Sequence, residues 1–375
     1  MVQLLGLIIV VCIALSFIEC MGYKFKCGWK AIYIAIGCIL IAYAGLRPVG
    51  FDHDSTVYED AFSNYDKPKY ILILEFTFRY ICQFVNWLGG NITWVFMIYA
   101  IAGISLKLFA IKRMSAFYML PLVIYLGNYY IYHDLTQIRG GIASGIFLLT
   151  IPMLADGKKW KCAGLYLLST CFHMSSLLFF PMLWLNNKEL TRKGKYFLAS
   201  LVPLGYLIYF THINVLSFIP FVGKKIEIYQ TLAEKGTGVE INVFGMVFLV
   251  KVAIFLFTLL MYDTIRPSNK YLPILLKVMG CSVFVFLLFT ALPVLSFRIS
   301  ELYGIVDIII YSSLFYTVKQ RAVGTSIVGI VGLSLYAINV FYMNILENVY
   351  RNYHTAEKQH RHSHCYIQSR QRLCR

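Results

Sequence analysis

Apolar residues fall in long unbroken runs along this chain rather than alternating or recurring on one face. "VQLLGLIIVVCIALSFI" near the start is one such run, and crossing the bilayer core takes roughly 20 of these residues. Comparable runs occur at about 2–19, 29–46, 92–110, 116–132, 138–154, 160–172, 174–186, 195–211, 241–262, 271–292, 300–318 and 322–344. The pattern predicts an all-α polytopic membrane helix bundle of about twelve crossings. A single transmembrane domain over 1–345 is expected, followed by a basic, non-periodic tail over 346–375 that reads as disordered. The first run lacks a preceding positive charge and a small-residue cleavage site, which fits a retained span better than a signal peptide.

Two stretches break the pattern. In "YILILEFTFRYICQFVNWL", 70–88, Glu75, Arg79 and Gln83 recur at i, i+4 and i+8, with Asn86 three further on. That spacing draws one polar stripe along a helix. A charge at the bilayer centre costs at least about 2.5–3.5 kcal/mol. An amphipathic helix lying at the membrane face or dipping partly into the bundle is therefore expected. In "KKWKCAGLYLLSTCFHMSSLLFFPMLWLNNKELTRKGK", 158–195, both ends are basic. Two short helices meeting at His173 keep both ends on one face, whereas one long helix would separate them.

With these two choices, segments around 20–30, 107–115, 155–161, 187–195, 263–270 and 319–321 share one face and hold seventeen Lys or Arg. Segments 47–91, 133–139, 173, 212–240 and 293–301 share the other and hold nine. The bias of basic residues toward the cytoplasm makes the first face cytoplasmic.

Composition agrees with the pattern. The chain is 59% hydrophobic and 14% charged, against about 25% charged in a soluble domain. Its net charge of +16 is scattered over short loops, with no basic domain to hold nucleic acid. Most cysteines lie inside apolar runs, where they act as small hydrophobes. No CxxC spacing occurs, so neither a disulfide framework nor a zinc site is predicted. His354, His360, His362 and His364 in the tail fit a flexible polar segment, with metal binding as the alternative. No P-loop, HExxH or GxSxG is present.

The candidate chemistry collects on the non-cytoplasmic face. Arg47, Asp52, His53, Asp54, Glu59 and Asp60 open the first outer loop, and Arg139 opens a helix. His173 sits at the hairpin apex, His212, Lys224 and Lys225 lie in a later loop, and Arg298 and Glu301 lie in "SFRISELYG". Several arginines at a membrane face suit a phosphate or pyrophosphate, because each offers a planar fork of donors and stays charged. Arg139 adds a helix N-terminus, and Gly140, Gly141 and Gly145 permit close approach to that helix. Snorkelling to lipid head groups is the alternative for each arginine. Asp52 or Asp54 could deprotonate a sugar hydroxyl, or pair with Arg47. His173 could be a base, a phosphate ligand or a satisfied polar residue. Tyr129, Tyr130 and Tyr132 fit an interfacial belt or a glycan platform. Lys277 and Asp307 are expected to face each other inside the bundle, while Lys251 has no evident partner.

Read together, "GLRPVGFDHDSTVYEDAF" at 45–62, "QIRGGIASGIFLL" at 137–149, "CFHMSSLLFFPML" at 171–183 and "FRISELYG" at 297–304 resemble the EpsG-like family of Wzy-type bacterial polysaccharide polymerases. The family pattern is an Arg, then Gly-x-Asp and Tyr, an Arg-led helix, a His-x-Ser hairpin and a late Arg. Here those positions are Arg47, Asp52, Tyr58, Arg139, His173 and Arg298. The family often has Gln after the second Arg, where this chain has Gly140, and the tail beyond about 354 departs from it.

The resemblance implies a multi-spanning glycosyltransferase of the inner membrane. It would polymerise undecaprenyl-diphosphate-linked repeat units into O-antigen, capsule or exopolysaccharide at the outer face, without a metal or cofactor. A chain-length regulator and a flippase would be its partners. It assigns Arg139 and Arg298, with Arg47 third, to the diphosphate. Asp52, then His173, would be the base, with Tyr58 and Glu301 contacting substrate. A flippase or transporter of lipid-linked glycan, with a polar path through Lys251, Lys277 and Asp307, is the competing reading. An O-antigen ligase, a membrane acyltransferase and a non-catalytic export subunit are further alternatives.

Overall fold

The structure is a computed structural model and describes residues 1–26, 28–211 and 241–346. Among these residues all regular structure is helical, and the lone β-bridge joins Asp52 to Leu346. The apolar runs become α1 (Val2–Cys20), α2 (Gly28–Gly45), α6 (Ile92–Met114), α7 (Met119–Gly127), α8 (Ile138–Ala155), α9 (Lys159–Phe172), α10 (Arg192–Phe210), α11 (Met246–Leu260), α12 (Leu272–Leu288), α13 (Pro293–Gly304), α14 (Asp307–Ser312) and α15 (Arg321–Ala337). Between α2 and α6 lie the short α3 (Ser55–Ser63), α4 (Pro68–Ile73) and α5 (Phe76–Trp87). Among the described residues five helices are long and apolar enough to cross a membrane, or seven if each bent pair counts as one span. The expected dozen passes is compatible with these plus the shorter apolar helices. The protein is a multi-pass membrane protein.

Backbone groups are satisfied within each helix, as an apolar solvent demands, so packing and polar ties decide how the helices associate. At one end, the Glu19 carboxylate accepts the backbone N–H groups of Tyr118 and Met119, each at 2.8 Å. Lys195 meets Asp263 at 2.7 Å, and the Asn187 amide donates to the Lys270 carbonyl at 2.8 Å. At the opposite end, the Tyr43 hydroxyl donates to the Met1 carbonyl at 2.9 Å and Tyr336 to the Val2 carbonyl at 2.8 Å. The Lys195–Asp263 and Asn187–Lys270 ties join segments that the charge pattern groups on the basic face. The exception is Lys107: it is fully buried in α6 and paired with Asp134 at 2.8 Å, instead of sitting on the basic face.

α8 packs against α6 through glycines. A Cβ on Gly103 would come 2.8 Å from the Asp134 carboxylate, and one on Gly141 would collide with the His133 carbonyl. A π-helical segment, Tyr130–Thr136, precedes α8 and turns the chain into it. Gly140 meets nothing closer than 3.7 Å, so the close approach rests on Gly141 and Gly145.

The 158–195 stretch folds as the expected hairpin. α9 and a 3-10 helix, Met174–Trp184, flank His173, whose backbone is extended. Ser169 donates to Ser176 across the bend at 2.8 Å. The 70–88 stretch departs from expectation, because it is not one helix. Leu74 and Glu75 are extended and separate α4 from α5, although neither Pro nor Gly stands there. The break lets the Glu75 carboxylate reach partners on α8 and α9.

A second small core forms under this outer segment. Tyr58, Phe78, Cys82, Phe96 and Tyr99 pack with Ile138 and Ile142, the residues that flank Arg139. His212, Lys224, Lys225 and the tail histidines lie outside the described residues.

Candidate functional site

α5, α8 and α9 bring three ionisable groups to one point. Arg139, in the first turn of α8, donates through Nη1 to the Glu75 carboxylate. The other Glu75 oxygen lies 3.4 Å from Nδ1 of His173. Residues 64 and 98 positions apart in sequence thus meet around one carboxylate. The Arg139 side chain keeps 26% of its surface open, whereas Glu75 and His173 keep 13% and 14%. The guanidinium also stands over the rings of Tyr58 and Phe78, at 5.6 and 5.8 Å, and its Nε has no partner among the described residues. Burial pushes the Glu75 carboxyl up, but the adjacent His173 and the charge of Arg139 outweigh it. The net effect holds the group below its ordinary value.

Asp54 stands at the edge of this cluster. Burial and the neighbouring Asp52 raise its pKa, while Arg139, His53 and Arg298 oppose the rise. Asp54 therefore lies in the electrostatic field of both Arg139 and Arg298. Arg298 is exposed on α13, with no ion pair among the described residues. One turn further, Glu301 accepts the Gln137 amide at 3.2 Å. Gln137 stands two residues before Arg139, so this bond links α13 to the start of α8.

Arg47 and Asp52 are placed differently. Both are 1% exposed. Arg47 Nε donates to Asp52 at 3.0 Å, its Nη1 donates to the Ala44 carbonyl at 2.6 Å, and its guanidinium stands 4.0 Å from the Phe96 ring centre. The other Asp52 oxygen accepts the N–H groups of Asp54 and Ser55 at 3.0 and 2.9 Å, closing the start of α3. Burial raises the Asp52 carboxyl and Arg47 counters it. The pair fastens the end of α2 to the outer segment. Tyr58, buried under the same segment, feels the charges of Arg139 and Arg47.

The expected Lys277–Asp307 contact does not form. Lys277 donates to the Asn186 carbonyl at 2.7 Å and to the Lys188 carbonyl at 3.3 Å, near the basic end of α12. Asp307 instead pairs with Lys251 at 3.1 Å and accepts the Tyr129 hydroxyl at 3.0 Å. Which helix face meets which neighbour is a property of packing, and hydropathy along one strand of sequence does not carry it.

Sequence reasoning passed over Glu75 as a site residue, and it missed Lys107, Asp134 and Gln137. For Glu75 and Lys107 a signal existed. An ionisable residue inside an apolar run is functional or paired by default. Among the described residues no group of three or more metal-ligating side chains occurs.

The fold and this cluster define a class: a helical multi-pass membrane protein whose ionisable groups converge at one end of the bundle. A family model sharpens it. The EpsG family model matches residues 30–355, and the chain belongs to the EpsG family, membrane proteins of polysaccharide-polymerase type. A search among curated proteins finds no match to this chain, and neither does a search among solved structures.

Proposed function

We propose that this protein is a glycosyltransferase of the inner membrane. It would join undecaprenyl-diphosphate-linked oligosaccharide units into an O-antigen, capsule or exopolysaccharide on the outer side. The observation that carries the reading is the Arg139–Glu75–His173 cluster at the end of the bundle opposite the basic loops. The basic end is cytoplasmic on the positive-inside rule, which puts the cluster where a flipped lipid-linked glycan would be.

The bond to break joins a sugar to a diphosphate. Negative charge develops on the departing diphosphate, and a fixed guanidinium stabilises it without a metal. Arg139 fills that role, with the helix N-terminus behind it. Arg298, exposed and with no ion pair among the described residues, supplies a second cation on the same side. The acceptor hydroxyl must lose a proton. His173 is the favoured base, since Glu75 beside Nδ1 can hold the imidazole with Nε2 free to accept it. Asp52 is the weaker candidate, because Arg47 and two backbone N–H groups already occupy its oxygens.

The test is direct. Purified protein receives lipid-diphosphate repeat units, and products are resolved by length. A ladder of lengthening glycan is expected. Substrate moved across vesicles with no ladder would replace this reading with a carrier, and a single transfer to another lipid would replace it with a ligase.

A further inference from the structure

A cavity of about 360 Å³ opens between α11, α13 and α15, and its lining combines groups that the diphosphate chemistry does not use. Its walls mix aliphatic side chains with the aromatic rings of Tyr132, Phe248, Phe286, Phe297 and Tyr342. Phe248 stacks on Phe286 with centroids 4.3 Å apart, and Phe297 meets Phe286 edge-on at 5.5 Å. Its polar groups include Asn128, Asn242, Ser300, Lys251, Glu301 and Asp307. Asp307 is 1% exposed, and its Oδ1 has no hydrogen-bond partner among the described residues. The volume falls within the roughly 300–1,000 Å³ of small-molecule sites.

This lining selects against two ligands and for a third. Two carboxylates against one lysine repel a diphosphate. A prenyl chain would leave the buried Asp307 oxygen without a donor, an expensive arrangement. A sugar supplies hydroxyl donors for the carboxylates and amide, and apolar ring faces for the aromatic walls. Glu301 belongs to the lining and also holds Gln137, two residues from Arg139. The cavity therefore adjoins the arginine cluster.

We infer that this cavity is the acceptor-glycan subsite, where Asp307, Glu301 and the aromatic walls seat the free end of the incoming repeat unit beside the Arg139 cluster. The inference rests on the polymerase reading and adds the location at which the acceptor is recognised. Donor diphosphate and acceptor sugar then occupy different parts of the protein, so substitutions can separate them.

The experiment follows single additions by the full-length protein in nanodiscs. A labelled, pre-elongated lipid-linked chain is the donor at fixed concentration, and lipid-diphosphate repeat units are titrated as acceptor. Asp307→Asn removes the charge while keeping the side-chain shape. Met246→Trp, at a rim position 67% exposed, fills the mouth without touching the core. Both variants are expected to raise the acceptor KM about tenfold or more while the donor KM holds, Asp307→Asn by weakening a hydrogen bond to a charged group and Met246→Trp by obstruction. An unchanged acceptor KM in both variants overturns the inference alone. A raised donor KM with an unchanged acceptor KM also overturns it, and gives the cavity to the prenyl chain. No product from the unsubstituted protein removes the polymerase reading and this inference with it.

Discussion

Replacing Lys107 by Met isolates the force that fixes the start of α8. The Lys107 ammonium is fully buried and donates to Asp134 at 2.8 Å and to the Gly141 carbonyl at 2.7 Å. The second Asp134 oxygen accepts the Tyr125 hydroxyl at 2.7 Å. Methionine fills the same space but leaves the carboxylate buried against one neutral donor. Breaking a buried pair on one side costs about 3–5 kcal/mol. An unfolded chain within lipid also finds polar partners, so about 3 kcal/mol is expected, near two orders of magnitude in the folding equilibrium. Asp134→Asn should lose a similar amount, because it strands the ammonium. The double variant leaves no naked charge and should recover much of the loss. The assay is a double-mutant cycle of folded fraction against denaturing detergent, with polymer formation measured on the same samples. Gly141 lies two residues from Arg139, so the single variants should also lose turnover. Losses that simply add, within about 0.5 kcal/mol, would show that the pair is uncoupled and refute the reasoning.

Other outcomes follow from the same geometry. Arg139→Ala should abolish the ladder while membrane protein levels stay normal; an undiminished ladder would remove Arg139 from the mechanism. Arg47→Ala should act through stability, since it strands Asp52 at a cost of about 3–5 kcal/mol, and quantitative blotting should show depleted protein rather than an inactive full complement. Gly141→Ala should also deplete the protein, because its Cβ would meet the His133 carbonyl, a backbone atom with no freedom to move aside. Glu75 has a lowered pKa in the folded protein, so its stabilising contribution is complete above the ordinary carboxylate value of about 4.3. That contribution fades as the pH falls through the lower folded value. Detergent denaturation across a pH series should therefore find the advantage of the unsubstituted protein over Glu75→Gln constant near neutrality and gone in strong acid; an advantage that instead grew in acid would contradict the assigned partners.

Much of this arrangement could be read from the chain, for identifiable reasons. Basic residues at both ends of 158–195 require a hairpin, which puts His173 at its apex. Gly141 and Gly145 announced a close helix contact because small residues at that spacing have few other uses in a membrane. The division of segments between two ends followed from charge and from run length. Other features had no local signature. The break at Leu74–Glu75 contains no Pro or Gly, and it brings Glu75 to Arg139 on α8 and to His173 at the hairpin apex. Arg47 and Asp52 were readable as a pair or as separate site residues, and only their common burial decides. Lys251 and Asp307 needed the rotation of α11 against α14, a quantity that packing sets. Lys107 looked like a loop-proximal cation, yet it lies one and a half turns or more inside α6, where only a partner such as Asp134 makes it tolerable.

The proposed chemistry depends on Arg139 gripping a diphosphate at the end of the bundle opposite the basic loops. Its most direct measurement is the affinity of sugar-free undecaprenyl diphosphate for the nanodisc-embedded protein and for Arg139→Ala, by native mass spectrometry. Binding at least about tenfold weaker is expected in the variant, a difference of about 1.4 kcal/mol. Equal affinity in the two proteins would contradict it.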